Sequence, residues 1–311
     1  MSTFEKLKLK PGRAICYSGF RGDQRPGILY PKYEQIKEDL LILSPHWDYI
    51  RLYDVDTHAD LVLEVIHKEK LPLKVYLGAY IDAEMNNFGC PWGGHYSEEQ
   101  LQANMQSNDA KMNKLVTLCN IHTDTIIAAS VGNEACVDWT DHYVHHNRVK
   151  YFAEFVKHQI SQPVSFCENY VPWLNKLKPL AASLDFISIH TYPVWEYKNI
   201  HDALEYTKEN YFLVQEAYPD LPVVISEAGW ATNSNNKGIL AEHVNEENQA
   251  IYFQDLMEWT EKEGILTFFF EAFDEPWKGS HDPLEPEKHW GIFKENRTPK
   301  KIISSLYFKN I

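Results

Sequence analysis

Two glutamates stand apart because each closes a strongly apolar run: Glu134 in IIAASVGNEA and Glu227 in VVISEAGW. A carboxylate at the end of a buried strand loses solvation, which raises its pKa and keeps it partly protonated, as an acid catalyst needs. The plain alternative is a rim salt bridge, with each glutamate paired to Arg51 or Lys278. Two such glutamates among amides and aromatic residues weigh against simple pairing. The ends of the apolar runs supply Tyr17, then Arg51, Tyr53 and Asp54, then Asn133 beside Glu134, then His190 and Tyr192, then Trp230 after Glu227. Last come Glu271, Asp274, Glu275, Trp277 and Lys278. Opposed carboxylates suit glycoside hydrolysis, in which one protonates the leaving oxygen while the other attacks the anomeric carbon or activates water. Pyranose rings pack their C–H faces on Trp and Tyr, and their hydroxyls take amide and carboxylate partners. For Trp230, Trp277 and Trp290, ordinary core packing is the alternative.

Other chemistries find less support. Five cysteines (Cys16, Cys90, Cys119, Cys136, Cys167) are an odd number without a Cys-x-x-Cys pair, so they read as free thiols, mostly buried. His142, His145 and His146 have helix-compatible spacing, but no His-Glu-x-x-His or similar ligand set occurs, and neither a metal nor a cofactor is expected. The net charge is −14, from 30 Lys plus Arg against 44 Asp plus Glu, which repels nucleic acid and anionic lipid. No apolar run has the length of a membrane span, and the start, MSTFEKLKLKPG, reads as carrying no export signal. That start fits a cytoplasmic protein if native, and a periplasmic or extracellular one if a signal has been removed.

Positioning such a set requires a scaffold. With 44% apolar and 24% charged residues over 311 positions, the chain can bury a substantial core. Strand-like runs fall at Ala14 to Ser18, Tyr49 to Tyr53, Lys74 to Gly78, Ile126 to Val131, Val164 to Glu168, Phe186 to His190, Val223 to Glu227 and Leu266 to Phe270. Between them lie amphipathic stretches such as Tyr33 to Leu43, Asp60 to Lys70, Glu98 to Cys119, His142 to Gln159 and Glu246 to Glu263. SEEQ at Ser97 and NEEN at Asn245 supply helix-capping side chains ahead of first-turn acids. This alternation predicts an α/β fold, a (β/α)8 TIM barrel in a single domain spanning 1–311, with 1–12 as an N-terminal extension. An open eight-unit sheet is the rival, but no Gly-x-Gly-x-x-Gly follows the first strand. In a barrel the chemistry sits at the carboxyl ends of the strands, where the two glutamates stand.

The segments ICYSG (15–19), IRLYDVD (50–56), VGNEA (131–135), DFISIHTYPVW (185–195), ISEAGWAT (225–232) and FFEAFDEPWK (269–278) resemble glycoside hydrolase family 17, the β-1,3-glucanases and β-1,3-glucanosyltransferases. The likeness runs in order from about Arg13 to Phe293, and the ending, DEPWK then EKHWGIF, looks more like the microbial members. It implies a retaining enzyme without a cofactor, with Glu134 as acid/base and Glu227 as nucleophile. Asn133 would meet the sugar 2-hydroxyl and Tyr192 would orient the nucleophile. Tyr17, Asp54, Trp230, Glu275 and Lys278 would line the cleft, with Arg51, Tyr53 and Trp277 beside them as substrate-binding residues. Two departures limit the transfer: the first strand runs on as YSGFRGDQRPG, and the insert 81–96 (IDAEMNNFGCPWGGHY) has no assigned counterpart and is placed to wall off one end of the cleft.

The expected activity is therefore hydrolysis of β-1,3-glucan of the laminarin type or its oligosaccharides, by a monomer. A glucanosyltransferase using the same glutamates and an exo-acting glucanase are the catalytic alternatives, and a non-catalytic carbohydrate-binding barrel is the alternative from another class.

Overall fold

The computed structural model describes residues 1–307. Eight parallel strands close into a barrel in chain order: β1 (Ala14–Cys16), β2 (Tyr49–Leu52), β3 (Lys74–Gly78), β4 (Ile126–Asn133), β5 (Val164–Asn169), β6 (Ile187–His190), β7 (Val223–Gly229) and β8 (Thr267–Phe270). Pairing of Ala14 with Phe268 and of Ile15 with Phe269 closes the ring between β1 and β8. The open-sheet rival is thereby excluded. Because both faces of each strand are covered, the strands are nearly continuous apolar runs. The barrel interior is not a pore: Tyr76 from β3 hydrogen-bonds Cys167 of β5 at 3.1 Å and Ser188 of β6 at 3.0 Å, with the rings of Phe186 and Phe268 around it.

The outer layer comprises α2 (Tyr33–Leu43), α3 (Thr57–Glu69), α4 (Glu98–Ile121), α5 (His146–Lys157), α6 (Tyr170–Trp173), α7 (Lys178–Ala181), α8 (Ile200–Ala217), α9 (Glu246–Glu263) and α10 (Lys301–Tyr307), preceded by the single turn α1 (Thr3–Lys6). The Ser97 and Asn245 caps form as expected, on the N–H groups of Gln100 and Asn248. One helix starts later than its periodicity suggests: α5 begins at His146 and not at His142, because the ring of His142 is bonded elsewhere and the Val144 N–H donates to the Ala135 carbonyl. After β5 the cover is reduced to the single turns α6 and α7, each with a proline, Pro172 and Pro179, in its first turn, where no helical hydrogen bond is lost. Residues 1–12 do not hang free. Phe4 is buried, and the Thr3 N–H bonds the Gly264 carbonyl at the end of α9. A cavity of about 810 Å³ opens at this amino-terminal end beside Phe4, Arg13, Asp48 and Glu261, away from the strand ends that carry the glutamates. No helix among the described residues is long and apolar enough to cross a membrane, and all five cysteines are free and buried.

Candidate active site

Backbone geometry sets Glu134 first. β4 and β5 lose register between Ser130 and Asn133, and Gly132 occupies the kink with φ near +159°, where an added Cβ would fall 2.7 Å from the Phe166 ring. Glu134 itself has φ of +46°, a left-handed conformation costing about 1–3 kcal/mol for a residue with a Cβ. Two bonds hold it there. Its N–H donates to the Cys167 carbonyl at 2.9 Å, and His142 donates through Nε2 to the Asn133 carbonyl at 2.9 Å, its own Nδ1 meeting Tyr80 and Asp141. The side chain retains about a third of its exposure, 32%.

Glu227, by contrast, is 5% exposed and held on both oxygens. Arg51 reaches across the barrel from β2 and donates from Nη1 to Oε1 at 2.5 Å, while its Nη2 serves the Asn133 side-chain oxygen and its guanidinium lies 4.5 Å over the Tyr53 ring. The Tyr192 hydroxyl donates to Oε2. His190 stands between the two glutamates, its Nδ1 2.7 Å from Glu134 and 3.4 Å from Glu227. One carboxylate oxygen of each glutamate and a His190 ring nitrogen lie within 4.8 Å of one another.

The electrostatics act strongly on Glu227 and His190. Burial alone would raise the Glu227 carboxyl, but His190, Arg51 and the Tyr192 hydroxyl outweigh it and hold the group down at about 2. The expectation that strand-end burial keeps a carboxyl protonated therefore fails for Glu227, because Arg51 and His190 from other strands converge on it. The pairing with Arg51 does occur, but inside the mouth and not on the rim. His190 shifts the other way. Burial pushes its imidazole down, yet Glu227 and Glu134 carry it up to about 10. The trio Glu134, His190 and Glu227 also has the spacing of a metal-ligand set, but a cation there would have to displace the shared Nδ1 proton and compete with Arg51.

The other expected residues divide. On the β8 side of the mouth, Lys278 binds Glu271 at 3.1 Å and also Glu275, and the Trp277 indole N–H donates to Glu275 at 2.9 Å. Asn133, Tyr53 and Tyr192 are half-buried around the centre. Asp54 is half-buried as well, but it braces loops, pairing with Lys111 at 3.2 Å and accepting the Tyr80 N–H at 3.1 Å. Four assignments are corrected: Arg51 and Glu275, 1% and 0% exposed, are spent on Glu227 and Asn133 and on Lys278 and Trp277, and two others lie away from the mouth. Tyr17 is 1% exposed, with its hydroxyl on Asp39 at 3.1 Å, outside the mouth. Trp230 is 0% exposed, its ring packed on Tyr252 of α9 and its N–H on the His243 carbonyl. Trp290 is the core tryptophan that backs Tyr192, with ring centroids 5.0 Å apart.

Two residues without an expected role, His190 and Glu287, join the site. His190 closes β6, and by alternation from the inward Ser188 it also points inward, a signal the sequence carries. Glu168 of β5 stays behind the site: next to the inward Cys167 it takes the outward face, wholly buried, where it accepts the Cys136 N–H at 2.8 Å and is raised to about 8 by burial and by Glu134. Glu287, half-buried, is raised to about 7 by burial and by the charges of Glu134 and Glu227 against the pull of Lys278. It comes from the loop after β8, where no periodicity marks it.

A pair of close carboxylates at the carboxyl end of a (β/α)8 barrel, one buried and ionised, one half-exposed, is the arrangement of a glycoside hydrolase. The chain belongs to the family of the BtgE/BtgC glycoside hydrolase domain, whose match covers residues 14–291. Among curated relatives it is 26% identical over 294 residues to a putative glucan endo-1,3-beta-glucosidase of Aspergillus niger, covering 87% of this chain and 40% of that protein. It is 25% identical over 297 residues to a probable glucan endo-1,3-beta-glucosidase of Aspergillus clavatus, covering 87% and 39%. The chain thus spans about two fifths of the length of these relatives. The same fold occurs in an endo-laminarinase from Formosa Hel1_33_131, with a TM-score of 0.84 and 24% identity over 99% of this chain and 88% of that one. It occurs too in a glycoside hydrolase family 17 β-1,3-glucanosyltransferase from Rhizomucor miehei, with a TM-score of 0.72 and 22% identity over 93% and 95%.

Proposed function

We propose that the chain hydrolyses β-1,3-glucan with retention of configuration, Glu227 acting as nucleophile and Glu134 as acid/base. The observation that carries this reading is the approach of the two carboxylates to within 4.8 Å between individual oxygens. Retaining enzymes hold their carboxyl groups about 5–5.5 Å apart, whereas inverting ones leave about 6.5–9.5 Å for a water. In the first step the Glu227 carboxylate forms a bond to the anomeric carbon as the glycosidic C–O bond breaks, and the proton on Glu134 passes to the leaving oxygen. In the second, Glu134 takes a proton from water, whose oxygen attacks the anomeric carbon and releases Glu227.

The surrounding side chains divide the work. With Glu134 Oε1 facing His190, Oε2 is left to carry the proton to the glycosidic oxygen. The Asn133 side-chain oxygen accepts from Arg51, which leaves its NH2 group to donate to the sugar 2-hydroxyl. Trp277 and Lys278, held in place by the buried Glu275, offer a ring face and a hydroxyl partner on the β8 side, while Tyr53, backed by Arg51, and Asp54 flank the centre. The names of the relatives supply the β-1,3-linked glucan, and the net charge of −14 disfavours uronic-acid polymers. The test is the product profile on a purified linear β-1,3-oligosaccharide at millimolar concentration. Shorter products alone support hydrolysis, early products longer than the starting chain make it a transferase, and no cleavage overturns the reading.

A further inference from the structure

Of the nine tryptophans, Trp92 and Trp139 are the exposed ones, at 65% and 41%, and Phe88 is 78% exposed. They lie on two loops bolted to each other, the insert 81–96 after β3 and the loop that follows Glu134. Asn87 donates to the carbonyls of both Asp138 and Thr140, the residues flanking Trp139, at 2.8 Å each. The Tyr96 hydroxyl donates to the Asp141 carbonyl at 3.0 Å, the Glu84 N–H to the Tyr143 carbonyl at 3.1 Å, and the insert's tip is closed by the Asn87 N–H on the Gly94 carbonyl at 2.8 Å. Exposed rings on braced backbone have already lost much of the freedom that binding would otherwise cost.

The platform also has a defined place. In the closed ring β4 stands opposite β8, so the loops after β3 and β4 rise across the mouth from Glu275, Trp277 and Lys278. Glu134, which must stand beside the leaving oxygen, lies between these two regions, and Trp139 follows it on the same loop. We propose that Phe88, Trp92 and Trp139 form a stacking surface for a neutral β-1,3-glucan chain on the leaving-group side of Glu134. The inference rests on the proposed function. An uncharged polymer with apolar ring faces suits aromatic side chains on a protein of charge −14, and the bonding of the insert to the loop that follows Glu134 distinguishes this surface from a patch for an unrelated partner.

The test compares chain lengths in Trp92→Ala and in the double variant Trp92→Ala/Trp139→Ala. The ratio of kcat/KM on long linear β-1,3-glucan to kcat/KM on the shortest substrate cleaved is expected to fall about tenfold in the double variant and less in the single one. Near-UV circular dichroism checks that each variant is folded. An unchanged ratio overturns the proposal, as does an equal loss on long and short substrates. A wild-type dimer that the double variant dissolves, with the ratio unchanged, would assign the surface to a second copy of the chain and likewise overturn it. If the wild type cleaves no β-1,3-glucan, the proposed function falls by itself. Migration through a laminarin-containing native gel then decides the platform: retardation lost in the double variant supports it, and retardation unaltered or never present overturns it.

Discussion

Glu227 at the end of β7 and Asp39 on α2 are both buried carboxylates gripped by arginine and a tyrosine hydroxyl. Asp39 is 0% exposed and takes Arg297 at 2.7 and 2.6 Å, Arg21 at 2.7 Å and Tyr17 at 3.1 Å. Burial pushes its carboxyl up while Arg297, Arg21 and Tyr17 pull it back. Glu227 has a single arginine, shared with Asn133, and a histidine shared with a second carboxylate. The difference lies in what remains within reach. Around Asp39 the donors join the loop after β1, helix α2 and the segment after β8. Around Glu227 they fix an ionised oxygen within 4.8 Å of the Glu134 carboxylate. The first arrangement is a staple, and the second is proposed to be a nucleophile held at the ready.

Removing each carboxylate should produce the largest contrast. Glu227→Ala is expected to lower kcat by at least about 10³-fold with a folded product, because the covalent step has no substitute on the chain. Asp39→Asn strands the buried Arg297 and removes one partner of the half-buried Arg21, and should cost about 3–5 kcal/mol of stability, measured by denaturant unfolding, with the folded fraction turning over normally. If Asp39→Asn removed activity without loss of stability, the distinction between the two carboxylates would collapse.

The paired tyrosines sharpen the comparison at smaller cost. Tyr192→Phe deletes one of the contacts that hold Glu227 down, so kcat should fall about ten- to a hundredfold and the acid limb of the pH–rate profile should move up from about 2. Tyr17→Phe should cost about 1–2 kcal/mol of stability and leave the profile in place.

The strands and the two glutamates were legible because apolar runs of the right length are bounded by polar residues, and because a barrel forces chemistry to the ends of strands. What strand ends do not declare is the face a side chain takes. Cys16 points inward, its Sγ on the Ser226 carbonyl, so alternation puts Tyr17 outward toward Asp39. Counting from the inward Glu227 likewise sends Trp230 outward toward α9. Strand-end position without that parity count misplaces both, and the same count recovers His190. Glu287 has no local signal, and although Arg51 is a candidate partner on charge alone, nothing local selects Glu227 for it or puts the pair inside the mouth, since both depend on distant segments meeting there.

The pH dependence of stability separates the regions through His190. Its folded value near 10 lies above the ordinary 6.5, so its contribution is fully present below 6.5 and is lost as pH rises through about 10. Glu227, depressed to about 2 from 4.5, contributes above 4.5 and loses its contribution as pH falls toward 2. Unfolding free energy measured against pH should therefore decline on both sides, and His190→Phe should flatten the alkaline decline. A decline unchanged in that variant would show that the imidazole is not the group bridging the carboxylates. The smallest expected contrast is between tryptophans: Trp277→Ala should weaken long glucans more than short ones, whereas Trp230→Phe, altering a core contact, should change stability and leave the chain-length dependence alone.

The roles of the two glutamates are tested most directly by azide rescue with an activated aryl β-glycoside, reading the anomeric configuration of the glycosyl azide by NMR. In Glu227→Ala, azide should enter the vacated space and attack from the face opposite the leaving group, giving the inverted α-azide. In Glu134→Ala the glycosyl-enzyme should still form on Glu227, and azide should displace it to give the retained β-azide. The reverse pattern would contradict the assignment, and an inverted first product from the wild-type protein on β-1,3-glucan would contradict the double-displacement mechanism itself.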